Sequence, residues 1–351
     1  MSATDRTVIG WDVGGAHVKA SLIAQGTVTD VAQWPAPLWQ GLDHLDRALE
    51  AARGRWPGIE DCRHAITMTA EMTDLFDDRE AGVAAIVERL GSGLDRSARY
   101  YAGPARWLDA DAARNDWRSV ASANWMATAE CVGHAVGDAL LIDIGSTTTD
   151  IVPIIDARPC TGGDGDARRL AEGELVYVGV VRTPLCALAE RIGWRGAEFN
   201  VMNEFFATTA DLFRITGELA EEHDQHASAD GGGKDIAASY RRLARMIGHD
   251  GRDASDAEWR ALAAAWRQRM LQRILDNLRR VERSHPLPAD APIVGAGCGG
   301  FLAAELAARL GRPHLPFHRL LAAPPALSAW VDTCAPSAAV ASLYAGAEPC
   351  G

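Results

Sequence analysis

Asp143-Ile144-Gly145-Ser146-Thr147-Thr148-Thr149-Asp150 follows directly on an unbroken apolar run at residues 139–142. A carboxylate at the end of a buried strand, then a tight turn of small residues, then a return of β-branched residues is the pattern of a hairpin. The same pattern opens the chain: Asp12-Val13-Gly14-Gly15-Ala16-His17-Val18-Lys19 ends the apolar stretch 8–11 and returns through Val18, Ala20 and Leu22. Laid over one another, the two segments match acid, β-branched residue, glycine and small residue in order, which makes them an internal repeat. The chemistry of such a turn is specific. Asp12 and Asp143 can hold a hydrated magnesium ion, while backbone N–H groups at Gly14, Gly15 and Gly145 approach phosphate oxygens without side chains in the way. Ser146, Thr147 and Thr148 add hydroxyl donors, and Lys19 and His17 add positive charge. Two such turns facing across a cleft would clamp a phosphate.

Outward from the hairpins, the apolar spacing turns helical over 42–55 and 82–90, with a short buried strand at 65–69 that runs to Glu71. A break at 133–138 sets a lobe boundary. The expected domains are 1–138 with the first hairpin, 139–325 with the second, and a closing helix and tail, 326–351, that returns to the first lobe. Residues 156–174, with Thr161-Gly162-Gly163-Asp164-Gly165-Asp166, read as a turn or mobile loop that no helix start closely follows. Alternation over 175–181 predicts a strand ahead of Arg182, which then aims at a phosphate or closes a strand-end salt bridge. The polar stretch 218–235 predicts an exposed connector, and its His223 and His226 a solvated run instead of metal ligands. Residues 257–283 predict a long amphipathic helix. Residues 292–301 hold an apolar strand, a glycine turn through Gly295, Gly297 and Gly299, and a helix start. Asn124 and Trp125 suit a helix N-cap and a core position.

The chain has 351 residues, 48% of them hydrophobic, and a formal net charge of -12. That apolar content supports a large core in two domains, and the acidic balance disfavours nucleic acid and anionic membranes as partners. Seven cysteines, an odd number without a Cys-x-x-Cys pair, fit a reducing cytoplasm better than a disulfide framework. The start Met1–Arg6 has no signal-peptide character, and no apolar run reaches the roughly 18 residues of a membrane span.

Two hairpins in this order, followed by a glycine-rich strand-turn-helix, resemble the actin-like ATPase and sugar-kinase superfamily. The resemblance implies a duplicated, ribonuclease H-like α/β fold of two lobes around a cleft. Asp143 to Asp150 resembles the hydantoinase A and oxoprolinase branch, with Ser146 in place of its glycine. Gly10-Trp11-Asp12, Met68-Thr69-Ala70-Glu71, Ala123-Asn124-Trp125, Tyr177 to Pro184 and Asn203 to Asp211 resemble a narrower group, the methanofuran-type ether synthases linked to tetrahydromethanopterin enzymes. That resemblance implies a transferase joining an aminomethyl-furan methyl diphosphate to the phenol of tyramine, glutamyl-tyramine or tyrosine, with magnesium as cofactor. It raises Asn124 to a site residue and leaves Glu71, Asp74, Glu204 and Asp211 as carboxylates able to take the phenol proton. The competing implication is a small-molecule kinase or ATP-driven amidohydrolase with nucleotide at residues 295–300. A third is a nucleotide-dependent scaffold, which the absence of an appended peptide-binding domain disfavours. The implied partners are small molecules, and self-association stays open.

Overall fold

A computed structural model describes residues 7–94, 98–163 and 165–347. Met1–Arg6, Asp164 of the glycine-rich segment, and Cys350 with the end of the tail lie outside the described residues.

The first sheet contains β1 (Thr7–Val13), β2 (His17–Ala24), β3 (Thr27–Pro35), β4 (Arg63–Met68), β5 (Arg99–Tyr101) and β6 (Trp107–Leu108), in the order β3-β2-β1-β4-β5-β6. The short turns after Val13 and Ala24 leave only antiparallel pairing for β1 with β2 and β2 with β3. The helix Asp43–Arg55 then carries the chain back, and β4 pairs parallel with β1.

The second sheet repeats this plan. Its strands are β7 (Ala139–Ile144), β8 (Thr149–Ile155), β9 (Arg158–Pro159) and β10 (Leu175–Val176), then, after a separate hairpin of β11 (Arg191–Trp194) and β12 (Ala197–Asn200), β13 (Ile293–Ala296) and β14 (His314–Pro316). The order β10-β8-β7-β13-β14 is the order β3-β2-β1-β4-β5 transposed, again with the first and fourth members parallel. This is the duplicated actin-like arrangement.

The chain divides into two compact units, one of residues 1–139, 154–160 and 316–351, the other of residues 140–153 and 161–315. In the first, Ile9, Trp11 and Val13 of β1 face a core that also takes Leu45 and Leu49 of helix Asp43–Arg55 and Val83, Ile86 and Leu90 of helix Arg79–Gly93. The opposite face of β1 and β2 lies under the helix Ala335–Gly346, where Ser21 Oγ and Ser337 Oγ are 2.7 Å apart. In the second unit the helix Asp256–Ser284 buries Trp259, Leu262, Trp266, Met270, Ile274 and Leu278 at helical spacing. Ser255 caps it in a reciprocal box with Glu258.

Two local expectations change. A helix, Asp166–Glu172, follows the glycine-rich segment at once, held by the buried Arg169 guanidinium 2.6 Å from Asp150. The stretch 218–235 is an exposed connector only in part: residues 230–235 are exposed, but His223 and Asp224 are buried. Arg214 reaches Asp224 at 2.6 Å and Arg242 reaches Asp230 at 3.0 Å, so charge pairs let a polar sequence pack.

Candidate functional site

The two hairpins share one backbone bonding scheme. Gly14 N–H donates to His17 O at 3.0 Å, and Gly145 N–H to Thr148 O at 2.9 Å. The carbonyl of the β-branched residue is fixed from the parallel strand's far end, Val13 O by Thr69 N–H at 2.9 Å and Ile144 O by Gly299 N–H at 2.8 Å. The next segment then crosses the turn at the matching carbonyl, with Leu38 N–H on Gly15 O at 2.9 Å and Arg182 N–H on Ser146 O at 2.9 Å. The repeat seen in eight residues therefore extends to the chain that covers them.

In the first unit Asp12 ends β1 almost fully buried, with its carboxylate 3.7 Å from Lys19 Nζ across the β1–β2 register. His17 is buried at the start of β2, and Gly14 and Gly15 form the half-buried turn. Glu71 follows β4 in a short 3-10 helix, 1% exposed, and accepts from Ser122 Oγ at 2.7 Å. Asp74 is exposed three residues on. Asn124 is not an N-cap. It is the first residue of helix Asn124–Val136, and its Oδ1 accepts from Trp125 N–H at 2.8 Å, while Trp125 is buried.

In the second unit the turn Gly145–Ser146–Thr147–Thr148 is half-buried, and no backbone hydrogen bond among the described residues uses the N–H groups of Ser146, Thr147 or Thr148. Such a row of amides is suited to an anion. Ser146 Oγ and Thr147 Oγ1 lie 3.3 Å apart, and Arg182 donates to Thr147 Oγ1 at 3.4 Å. Burial lowers the Arg182 guanidinium below its ordinary value, a cost that an anionic partner offsets.

The expected strand over 175–181 is only β10; the remainder is a strap over the hairpin. Carbonyls of Gly145 and Ser146 take the N–H groups of Val180, Val181 and Arg182, and side-chain hydroxyls hold Val178 and Gly179. Thr149 donates to Val178 O at 2.7 Å and Thr209 to Gly179 O at 2.7 Å, while Thr183 Oγ1 accepts from Gly179 N–H at 2.8 Å. Only glycine fits at 179, because a Cβ there would lie 2.3 Å from Thr147 N. No local pattern announces these threonines, whose partners lie up to thirty residues away.

The late glycine turn comes back to the same hairpin. Gly297 has φ +80°, and a Cβ there would stand 2.2 Å from Ile144 O and 2.5 Å from Asp143 Oδ1. Gly299 lies against Ile144 and Val180, and Gly295 inside β13 against His314 and Ala303. Asp143, Ser146, Thr147, Thr148, Arg182 and Gly297 are thus gathered within one unit.

Two expected carboxylates stand apart from these groups. Glu204 is exposed in a bend. Asp211 caps helix Thr209–Thr216 and is held by Arg242 at 2.8 Å and Arg214 at 2.7 Å, fully buried as a structural hub.

A hydantoinase/oxoprolinase family model matches residues 63–333. The chain is 31% identical over 291 residues to a (4-{4-[2-(gamma-L-glutamylamino)ethyl]phenoxymethyl}furan-2-yl)methanamine synthase of Methanocaldococcus jannaschii, covering 83% of this chain and 86% of that protein. It is 32% identical over 148 residues to a synthase of the same description from Methanococcus vannielii, covering 42% of this chain and 66% of that protein. Among solved structures, nucleotide-free acetone carboxylase is similar with a TM-score of 0.53 at 12% identity, over 87% of this chain and 67% of that chain, a likeness of fold. The chain belongs to the hydantoinase/oxoprolinase family, and within it to the family of the furan-methanamine synthases.

Proposed function

We propose that the protein joins a furan-methyl diphosphate to a phenol oxygen, releasing diphosphate, in the making of a methanofuran-type one-carbon carrier. The relatives' product carries a phenoxymethyl group on a furan, so the bond to be made is the one between the phenol oxygen and the exocyclic carbon. The observation that carries the proposal is the amide row of residues 146–148 beneath Arg182, an anion seat built from backbone N–H groups, hydroxyls and one desolvated guanidinium.

The chemistry balances simply. The carbon–oxygen bond to diphosphate breaks with its electron pair on the diphosphate, the phenol oxygen bonds to the same carbon, and its proton goes to a carboxylate. The furan oxygen spreads positive charge onto the exocyclic carbon, so stabilising the leaving group is the main demand. Ser146, Thr147, Thr148 and Arg182 answer it by hydrogen bonding to oxygens on which charge develops. The first hairpin, with Asp12, Gly14, Gly15 and Lys19, is assigned the same class of ligand because its backbone bonding is the same. Of the expected carboxylates, Asp211 is engaged by two arginines, whereas Glu71 is buried and oriented by Ser122, an environment that suits a carboxylate to hold a proton. An ordinary phenol has a pKa of about 10, so a positioned base is required near neutrality.

Magnesium fits the donors present. Within the first unit Asp12 lies beside Thr67 near the end of β1, and within the second Asp143 lies near the end of β7 ahead of the turn hydroxyls, oxygen donors of the kind magnesium takes. When bound, it would neutralise charge on the departing diphosphate.

Family membership also supports a second reading, an ATP-driven kinase or amidohydrolase, and the observation favouring it is the Gly297 turn against Asp143. One assay separates the two. The purified protein is given magnesium and either a furan-methyl diphosphate with tyramine or ATP alone, and diphosphate and phosphate are counted. Diphosphate release that requires the phenol and is lost in Asp143→Asn supports the transferase; ATP hydrolysis with no phenol-dependent release overturns it.

A further inference from the structure

The register of the first sheet sets Gln33, Lys19, Asp12 and Thr67 in one row across β3, β2, β1 and β4. Residues directly paired across strands share a face, so Thr67 stands beside Asp12 on the side away from the Trp11 core. The preceding row on that face is small, with Ser21, Gly10 and Ala65, and it is covered by the helix Ala335–Gly346. The polar row begins where that row of small residues ends.

Thr67 is fully buried, and its hydroxyl makes no hydrogen bond among the described residues. Valine has nearly the same shape and favours a strand equally, so nothing in the packing of β4 calls for a hydroxyl here. A buried hydroxyl without a partner is disfavoured, and proteins satisfy nearly all such groups. Its missing partner is therefore to be sought among what binds at Asp12. Neighbouring strands lie roughly 4.8 Å apart, a spacing at which a water on an ion at Asp12 reaches the next strand's side chain.

Resting on the magnesium reading given above, we propose that Thr67 is a positioning residue of that site, its hydroxyl accepting a hydrogen bond from a water carried by the metal ion at Asp12. Outer partners of this kind typically alter metal affinity about 10–100-fold. The test is direct Mn2+ binding to the full chain with inorganic pyrophosphate, read by electron paramagnetic resonance, together with the melting temperature of the metal-free protein. Thr67→Val is expected to weaken Mn2+ binding by about 10-fold or more while the metal-free protein melts no lower than wild type, and Thr67→Ser is expected to restore binding. A plain core threonine gives the opposite pattern, a Thr67→Val protein of higher melting temperature and unchanged affinity. Loss of binding in Asp12→Asn with unchanged binding in Thr67→Val would overturn the proposal alone. Equal binding by wild type and Asp12→Asn would overturn the magnesium reading and the proposal with it.

Discussion

Replacing Gly179 with alanine probes the strap at its tightest point. The new Cβ would lie 2.3 Å from Thr147 N, 2.4 Å from Ser146 C and 2.5 Å from Ser146 O, all backbone atoms that cannot swing away. Ordinary contact begins near 3.4 Å, so strap and hairpin must separate by about 1 Å. Overpacking of this kind costs about 1–3 kcal/mol, which lowers Tm by about 2–4 °C per kcal/mol in a domain of ordinary size. The functional loss should be larger than that. Arg182 reaches Thr147 from the strap, and a displacement of about 1 Å in a positioning group can cost about 100-fold in rate. The assay is kcat/KM for diphosphate release, alongside pyrophosphate affinity by calorimetry and Tm by circular dichroism. A Gly179→Ala protein with wild-type kcat/KM and pyrophosphate affinity would refute the claim that strap and hairpin act together.

Three other outcomes are expected. Arg182→Lys should weaken pyrophosphate binding about 10-fold, since an ammonium lacks the planar fork of donors; calorimetry showing unchanged affinity would remove Arg182 from the anion seat. Thr209→Val removes the hydroxyl bonded to Gly179 O and should cost about 1–2 kcal/mol in urea unfolding together with a loss of pyrophosphate affinity, both recovered in Thr209→Ser. Glu258 is held down to about 2 by the Arg195 guanidinium and by Ser255. Because its folded value lies below the ordinary 4.5, the unfolded chain binds more protons in between. Its contribution is therefore complete above about pH 4.5 and lost as pH falls toward about 2, and Glu258→Gln should flatten that limb of a Tm–pH curve.

The hairpins were legible because everything that makes them is local: an apolar strand, an acid, small residues in the turn, and β-branched residues returning. The same holds for helix Asp256–Ser284, whose apolar spacing and Ser255–Glu258 box lie within one stretch of chain. The strap was not legible. Val176, Val178 and Val180 alternate as a strand would, but Gly145, Ser146, Thr149, Thr183 and Thr209 draw the backbone away from β8. The buried stretch around His223 was missed for a similar reason, since its polarity reads as exposure until Arg214 and Arg242 are seen to neutralise Asp224 and Asp230. Thr67 carries no motif at all. Only the pairing of β4 with β1 puts it beside Asp12.

The most direct measurement follows one oxygen atom. A furan-methyl diphosphate and a tyramine-type phenol labelled with 18O on its hydroxyl are incubated with the protein and magnesium, and the products are weighed by mass spectrometry. The expected result is an ether that keeps the 18O, formed one for one with unlabelled diphosphate and without ATP. An ether that has lost the label, or ATP consumption with no ether, would contradict the account.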